Sequence, residues 1–227
     1  MPNIQFLRNS EKIREKVKSL CKYQLKLFER AKISLKTGMT EIELQQIIHK
    51  QLKKIHYSLK CPLLVSFGKN TAKIHGFATK NRLQENDIVL IDFGIAPKFM
   101  SNYGTDITRT FFWGTPTKLQ KKVHELVKNA QKIGISLVKN GQSASIIDRN
   151  VRKYLNKEGY DFDHGTGHGI KRLIHADPLI NQYNHEYLRE GDIITIEPGI
   201  YLQNQFGVRI EDTIYVSRDS FEILSKS

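Results

Sequence analysis

Apolar residues recur at helical spacing through the first fifty positions and then give way to short β-rich runs, and the same order returns in the second half of the chain. Over about 10–36, Ile13, Val17, Leu20, Leu25, Leu27 and Ile33 stand among charged residues, which predicts one long helix ended by Gly38. Thr40 with Glu43 has the spacing of a capping box ahead of Ile42, Leu44, Ile47, Ile48 and Leu52, so a second helix begins there. The period changes to that of strands at 63–67, 88–92 and 107–112, separated by the turn residues Gly68, Asn70, Asn86 and Asn102. Pro116 stands where a third helix opens, running to about 139, and Ser143 caps a fourth to about 156. Strands follow at 162–164, 193–197 and 208–215, with a Gly191–Asp192 turn before the second of them. This is a rough doubling of two helices followed by strands. It predicts an α+β fold: a curved antiparallel sheet, helices on its outer face, and a central cleft fed from both halves.

With 227 residues, 39% of them apolar, the chain can bury one substantial core or two closely joined halves. A single domain over 1–227 is expected, with no separate N-terminal domain ahead of the first helix. No apolar run approaches the roughly 20 residues of a membrane-spanning helix, and MPNIQFLRNSEKIREK lacks an apolar signal core, so a cytoplasmic, non-membrane protein is expected. Cys21 and Cys61 are the two cysteines, too few for a disulfide framework or a zinc knuckle, and both are expected to be inert. Lys and Arg number 36 against 23 acids, a net charge of +13 concentrated in helical segments such as KLQKKVHELVKNAQK. A solvated Lys-rich face is the expectation, with nonspecific, salt-dependent attraction to acidic partners such as RNA or ribosomes.

The candidate chemistry lies in five residues: Asp92 in VLIDFG, Asp106 in TDITRTF, His168 in HGTGHGI, Glu197 in TIEPGIY and Glu211 in GVRIEDT. Four carboxylates and one imidazole without a thiolate suit hard or borderline divalent ions, two of which can share carboxylates as bridges. A single acid of this kind could equally be a surface charge. Asp92 and Glu197, however, sit among apolar β-formers, where an unpaired carboxylate is costly to bury.

The order DFG, TDITRTF, GTGHG, TIEPGIY and VRIEDT resembles the pita-bread (M24-type) metallopeptidases, over about 41–216. TDITRTF, EPGIY and VRIEDT are similar to the Xaa-Pro aminopeptidase and prolidase branch, and the resemblance extends to its catalytic domain. It implies the pita-bread fold, with two pseudo-symmetric halves, and a dimetal site. In that site Asp92 binds one metal through both oxygens, Asp106 and Glu211 bridge, and His168 and Glu197 complete the coordination of the other metal. The resemblance further implies that Glu197 transfers protons, that His75 contacts the substrate near its scissile nitrogen, and that His175 stabilises the tetrahedral intermediate. His164 would shape the pocket rather than bind metal, and Arg209 would pair with Asp92 or orient Glu211. His49, His56, His124 and His185 are expected to be solvated.

The implied activity is that of a dimetal aminopeptidase removing an N-terminal residue, of Xaa-Pro type, through a hydroxide shared by the ions. Methionine removal is the second reading, and a noncatalytic ribosome or nucleic-acid binder the third. Two divalent cations are implied, Mn first, with Co, Fe or Zn compatible. A peptide is the implied partner, and the chain would be a monomer or homodimer. Three local departures bear on specificity: Asp92 and Asp106 stand 14 apart, Lys171-Arg172 replaces the usual Gly-Leu pair, and Ala176 stands where an acid is usual.

Overall fold

The computed structural model describes residues 4–53, 57–98, 103–172 and 174–226. His56 and Asn102, both read from the sequence, lie outside the described residues. The first helix, α1, spans Ile4–Ser34 and the second, α2, spans Glu41–Lys53. Between them Gly38 adopts φ 85°, a left-handed conformation in which a side chain would be strained. The capping box forms: Glu43 donates its backbone N–H to Thr40 Oγ1 at 3.2 Å, and Thr40 N–H donates to Glu43 Oε2 at 2.7 Å.

Five strands complete the first half: β1 (Tyr57–Leu59), β2 (Leu64–Phe67), β3 (Ile88–Phe93), β4 (Ile95–Pro97) and β5 (Ile107–Phe112), with a 3-10 turn at Gly68–Ala72. The helices α3 (Lys118–Ser136) and α4 (Ala144–Lys157) open the second half. They are followed by β6 (Gly167–Gly169), β7 (Ala176–Ile180), β8 (Ile193–Ile196), β9 (Gly199–Leu202), β10 (Phe206–Arg209), β11 (Asp212–Val216) and β12 (Phe221–Ile223). Every described strand pair is antiparallel, in the orders β2-β3-β5, β12-β11-β8-β6-β7, β1-β4 and β9-β10.

Alternation along the strands divides core from cleft. In β2 and β3, Val65, Phe67, Val89, Ile91 and Phe93 point to α1 and α2, and Phe93 meets Phe28 with ring centroids 4.9 Å apart. Burying each such aromatic contributes about 1.5–3 kcal/mol. In β8 and β11, Ile194, Ile196, Ile214 and Val216 pack with Ile135 and Ile147 of α3 and α4. The opposite faces, carrying Asp92, Thr108, Thr195 and Thr213, are left for the cleft.

The halves are sewn together by threonines rather than by a regular ladder. Thr110 Oγ1 donates to Arg209 O at 2.7 Å, and Thr213 Oγ1 donates to Asp106 O at 2.7 Å, while Glu211 N–H donates to Thr108 O at 3.1 Å. A threonine hydroxyl can serve as donor and acceptor at once, so it satisfies backbone groups where two twisted sheets meet out of register.

Several expectations need correction. The third helix is capped by Thr117, whose hydroxyl accepts from Gln120 N–H, and Pro116 stands just outside it. Ser143 precedes α4 but makes no side-chain cap, its hydroxyl lying 3.0 Å from Ser145 Oγ. Residues 162–164 are not a strand: Arg152 donates to Phe162 O at 2.7 Å and to His164 O at 2.6 Å, taking the place of strand partners. The run at 208–215 breaks at Ile210 and Glu211 into β10 and β11.

Candidate metal centre

The early aspartates come from one hairpin. Asp92 on β3 lies opposite Thr108 on β5, so Asp106, two residues before Thr108, is its diagonal neighbour on the same face. The 14-residue spacing does not disturb this register. After Gly94 the chain leaves β3 to pair β4 with β1, and on its return Thr105 N–H donates to Ile95 O at 2.9 Å. The extra residues are spent beyond Ile95, and both carboxylates face the cleft.

From the other half, Glu197 follows β8 two residues after Thr195 and keeps its face. Glu211 sits at the break between β10 and β11, which turns its carboxylate toward Thr108, whose Oγ1 donates to Glu211 Oε2 at 2.8 Å. His168 stands between two glycines for a steric reason. A Cβ on Gly167 would fall 2.0 Å from Thr195 O, and one on Gly169 would fall 2.4 Å from Asp177 O. Glycine at both positions lets β6 slot between β8 and β7 with the imidazole aimed inward. His168 Nδ1 lies 3.2 Å from Gly169 O, an arrangement in which Nδ1 carries the hydrogen and Nε2 offers its lone pair to the cleft.

These five residues converge. Ligand atoms of Asp92, Asp106 and Glu211 lie within 4.8 Å of one another, as do those of His168, Glu197 and Glu211. Glu211 belongs to both groups. His168 Nε2 is 3.3 Å from Glu197 Oε1 and 3.7 Å from Asp106 Oδ2. Burial, with the charges of Asp92 and Glu197, raises the Asp106 carboxyl well above its ordinary range, and burial with Asp106 does the same to Glu211. Glu197 is pushed up to about 7, chiefly by burial and against the opposing charge of Arg209. Glu211 Oε1 is buried with no hydrogen-bond partner. Crowded, desolvated carboxylates with an orphaned oxygen lack positive charge, and the oxygen-rich set with one imidazole suits divalent cations. The residues therefore fit a metal pair.

The remaining candidates surround this cluster in a cavity of about 310 Å³. His175 stacks edge-on to His168 with centroids 4.5 Å apart, and its ring nitrogen lies within 4.8 Å of Asp106 and His168 ligand atoms. Burial and the neighbouring His168 hold it below its ordinary pKa. His75 is exposed at the cavity wall. Arg209, 2% exposed, donates to Asp92 Oδ2, to the Ile74 carbonyl at 3.2 Å and to Tyr201 OH at 2.8 Å. Burial opposes its charge, but Tyr201, Asp92 and Glu197 outweigh that and raise its pKa. Tyr201 OH in turn lies 2.9 Å from His164 Nε2, and His164 Nδ1 lies 2.8 Å from Gly165 O. The chain of donors runs Arg209, Tyr201, His164 and ends on the accepting Gly165 carbonyl, with His164 neutral, its pKa held down to about 3 by burial and Arg209.

Sequence reasoning missed Tyr201, although the EPGIY motif contains it, and it did not place Cys61 at the site. That thiol lines the cavity, accepts from Gly94 N–H at 3.0 Å and lies 3.6 Å from Asp106 Oδ1. Burial and the aspartates raise its pKa, and nothing in the neighbouring Pro62 signalled such a place. His124 is not simply solvated either: its Nε2 lies 3.2 Å from Thr110 O beside Phe112.

The sequence profile of metallopeptidase family M24 matches residues 15–218. The chain is 39% identical over 166 residues to a Xaa-Pro dipeptidase of Pyrococcus horikoshii, covering 72% of this chain and 46% of that protein. It superposes on the prolidase from Pyrococcus furiosus with a TM-score of 0.90 at 32% identity, covering 95% of this chain and 64% of the other. A methionine aminopeptidase from Rickettsia prowazekii shares the fold, with a TM-score of 0.83 at 23% identity, 95% of this chain against 98% of that one. The chain spans about half the length of the curated relatives it matches.

Proposed function

Since the chain belongs to metallopeptidase family M24, we propose that it is a dimetal peptidase that cleaves the bond between an N-terminal residue and a following proline. The observation that carries this reading is the convergence of Asp92, Asp106, His168, Glu197 and Glu211 on one cavity, with Glu211 Oε1 left without a protein partner. The similarity to a protein named Xaa-Pro dipeptidase supports the choice of proline.

Asp92, Asp106 and Glu211 would hold one divalent ion and His168, Glu197 and Glu211 the other, with Asp106 and Glu211 reaching both. When bound, such a pair supplies Lewis acidity, polarising the scissile carbonyl and acidifying water. The protein's own groups do the rest. Arg209 fixes Asp92 through its guanidinium, so the carboxylate cannot swing away when substrate enters. Glu197, beside the atoms that would hold the ions, would take a proton from the attacking water and return it to the departing proline nitrogen. The carbonyl carbon gains the water oxygen, the C–N bond breaks, and the free amine and acid leave. His75 and His175, on the cavity wall, hydrogen-bond the charge that develops on the substrate.

The test is metal-dependent hydrolysis of Leu-Pro, Leu-Pro-Ala and Met-Ala-Ser by the chain loaded with manganese. Release of leucine from the proline peptides, and a drop in kcat of about 10²–10⁴-fold in Glu197→Gln, is expected. Preferential release of methionine would favour methionine removal instead, and no turnover of any peptide would refute a peptidase.

A further inference from the structure

Glu41 is the first residue of α2, is 0% exposed, and takes no part in the chemistry proposed above. Its Oε1 accepts from Phe67 N–H at 2.8 Å, Asn70 Nδ2 at 3.0 Å and Asn81 Nδ2 at 3.2 Å. Its Oε2 accepts from Thr79 N–H at 2.8 Å and Thr79 Oγ1 at 2.6 Å. Each of these partners is neutral, and all are donors, so the carboxylate acts purely as an acceptor. The other half contains a contrasting case. Asp148 of α4, also 0% exposed, accepts from Thr166 but has the charge of Arg152 2.8 Å away.

The donors to Glu41 stand at the two ends of the segment 67–81, and His75 lies at its middle. Past Ala72 this segment has little regular structure of its own, so its backbone must find partners elsewhere. Glu41 supplies them at the base. The tip is held by Ser66 Oγ, which donates to Gly76 O at 3.2 Å, and by Arg209, which donates to Ile74 O. The loop therefore hangs on one buried carboxylate at its root and on the metal-centre arginine at its tip.

We infer that Glu41 is a positioning residue, fixing the 67–81 loop so that His75 meets the substrate at the mouth of the cleft. This rests on the substrate role proposed for His75, and the experiment separates the two. Glu41→Gln keeps the shape of the side chain but turns an amide NH2 toward groups that are themselves donors. Hydrogen exchange should then show lost protection for amides of 67–81, including Phe67 and Thr79, while β3 and β5 keep theirs. In hydrolysis of Leu-Pro, kcat/KM should fall on the order of 10²-fold with manganese uptake by calorimetry unchanged. The double variant Glu41→Gln with His75→Ala should be no worse than His75→Ala alone, because the two losses share one cause.

Unchanged exchange in the loop, or losses that multiply in the double variant, would overturn the inference. His75→Ala with wild-type activity would instead remove the role of His75 and this inference with it. Should Glu41→Gln fail to fold, Asn70→Ala removes a single donor and carries the same cycle with a smaller loss.

Discussion

At the residue scale the site is governed by what surrounds each titrating group. His164 is walled in by Phe162, Tyr201 and the charge of Arg209, and its pKa sits at about 3 against an ordinary 6.5. The unfolded chain takes up a proton below about 6.5 that the folded protein refuses, so this group's contribution to stability is full above 6.5 and is lost as pH falls toward 3. Replacing His164 with Asn removes that dependence. Urea unfolding at pH 7, 5 and 4 should show wild-type stability falling more steeply than the variant's, and parallel slopes would count against a buried neutral imidazole. Asp92 and Glu197 were legible as candidates because carboxylates inside apolar strand runs demand an explanation, and Asp106, His168 and Glu211 through the order of their motifs. Tyr201, Cys61 and Glu41 were not, because their meaning comes from partners 26 to 45 positions distant or from burial: Cys61 from Asp106 and Gly94, Glu41 from a loop, Tyr201 from His164.

At the scale of elements, the helices and three of the five strands of the first half, β2, β3 and β5, were readable from period and caps. Their ends moved by a few residues where capping chemistry decided them: Thr117, not Pro116, sets the start of α3 as its N-cap, because its hydroxyl closes a box with Gln120. The second half was harder. Residues 162–164 look like a strand, but Arg152 occupies their carbonyls, and β7 was hidden by Asp177-Pro178 within it. The glycines around His168 are the tightest point of this half. Gly167→Ala puts a methyl 2.0 Å from Thr195 O, so β6 must move away from β8. The expected outcome is a drop in Tm of several degrees with weakened divalent-ion uptake, measured by thermal unfolding and calorimetry. A variant with full Tm and full uptake would show that β6 has room the close packing denies.

At the scale of the whole molecule, the chain has the pita-bread fold, and its halves meet through threonine hydroxyls that leave candidate ligands from each facing one cleft. Among the described residues no helix is long and apolar enough to cross a membrane. Lysines 121, 122, 128 and 132 are exposed on α3, away from the carboxylates, with Lys122 and Lys128 beside Glu158 and Glu125. These four positive charges thus stand on the exposed face of α3. Cations in the cleft would relieve the crowding of Asp106, Glu197 and Glu211, so binding must stabilise the fold. A ligand at 100 times its Kd contributes about 2.7 kcal/mol, which for a chain of this size is about 5–10 °C in Tm. Chelation should lower the melting temperature by that order and manganese should restore it; an unchanged Tm would mean the cluster tolerates its own repulsion. The most direct test is calorimetric titration of the metal-free chain with manganese at neutral pH. Two ions bound per chain is the predicted result, and uptake of none, or saturation at one, would contradict a paired-cation centre.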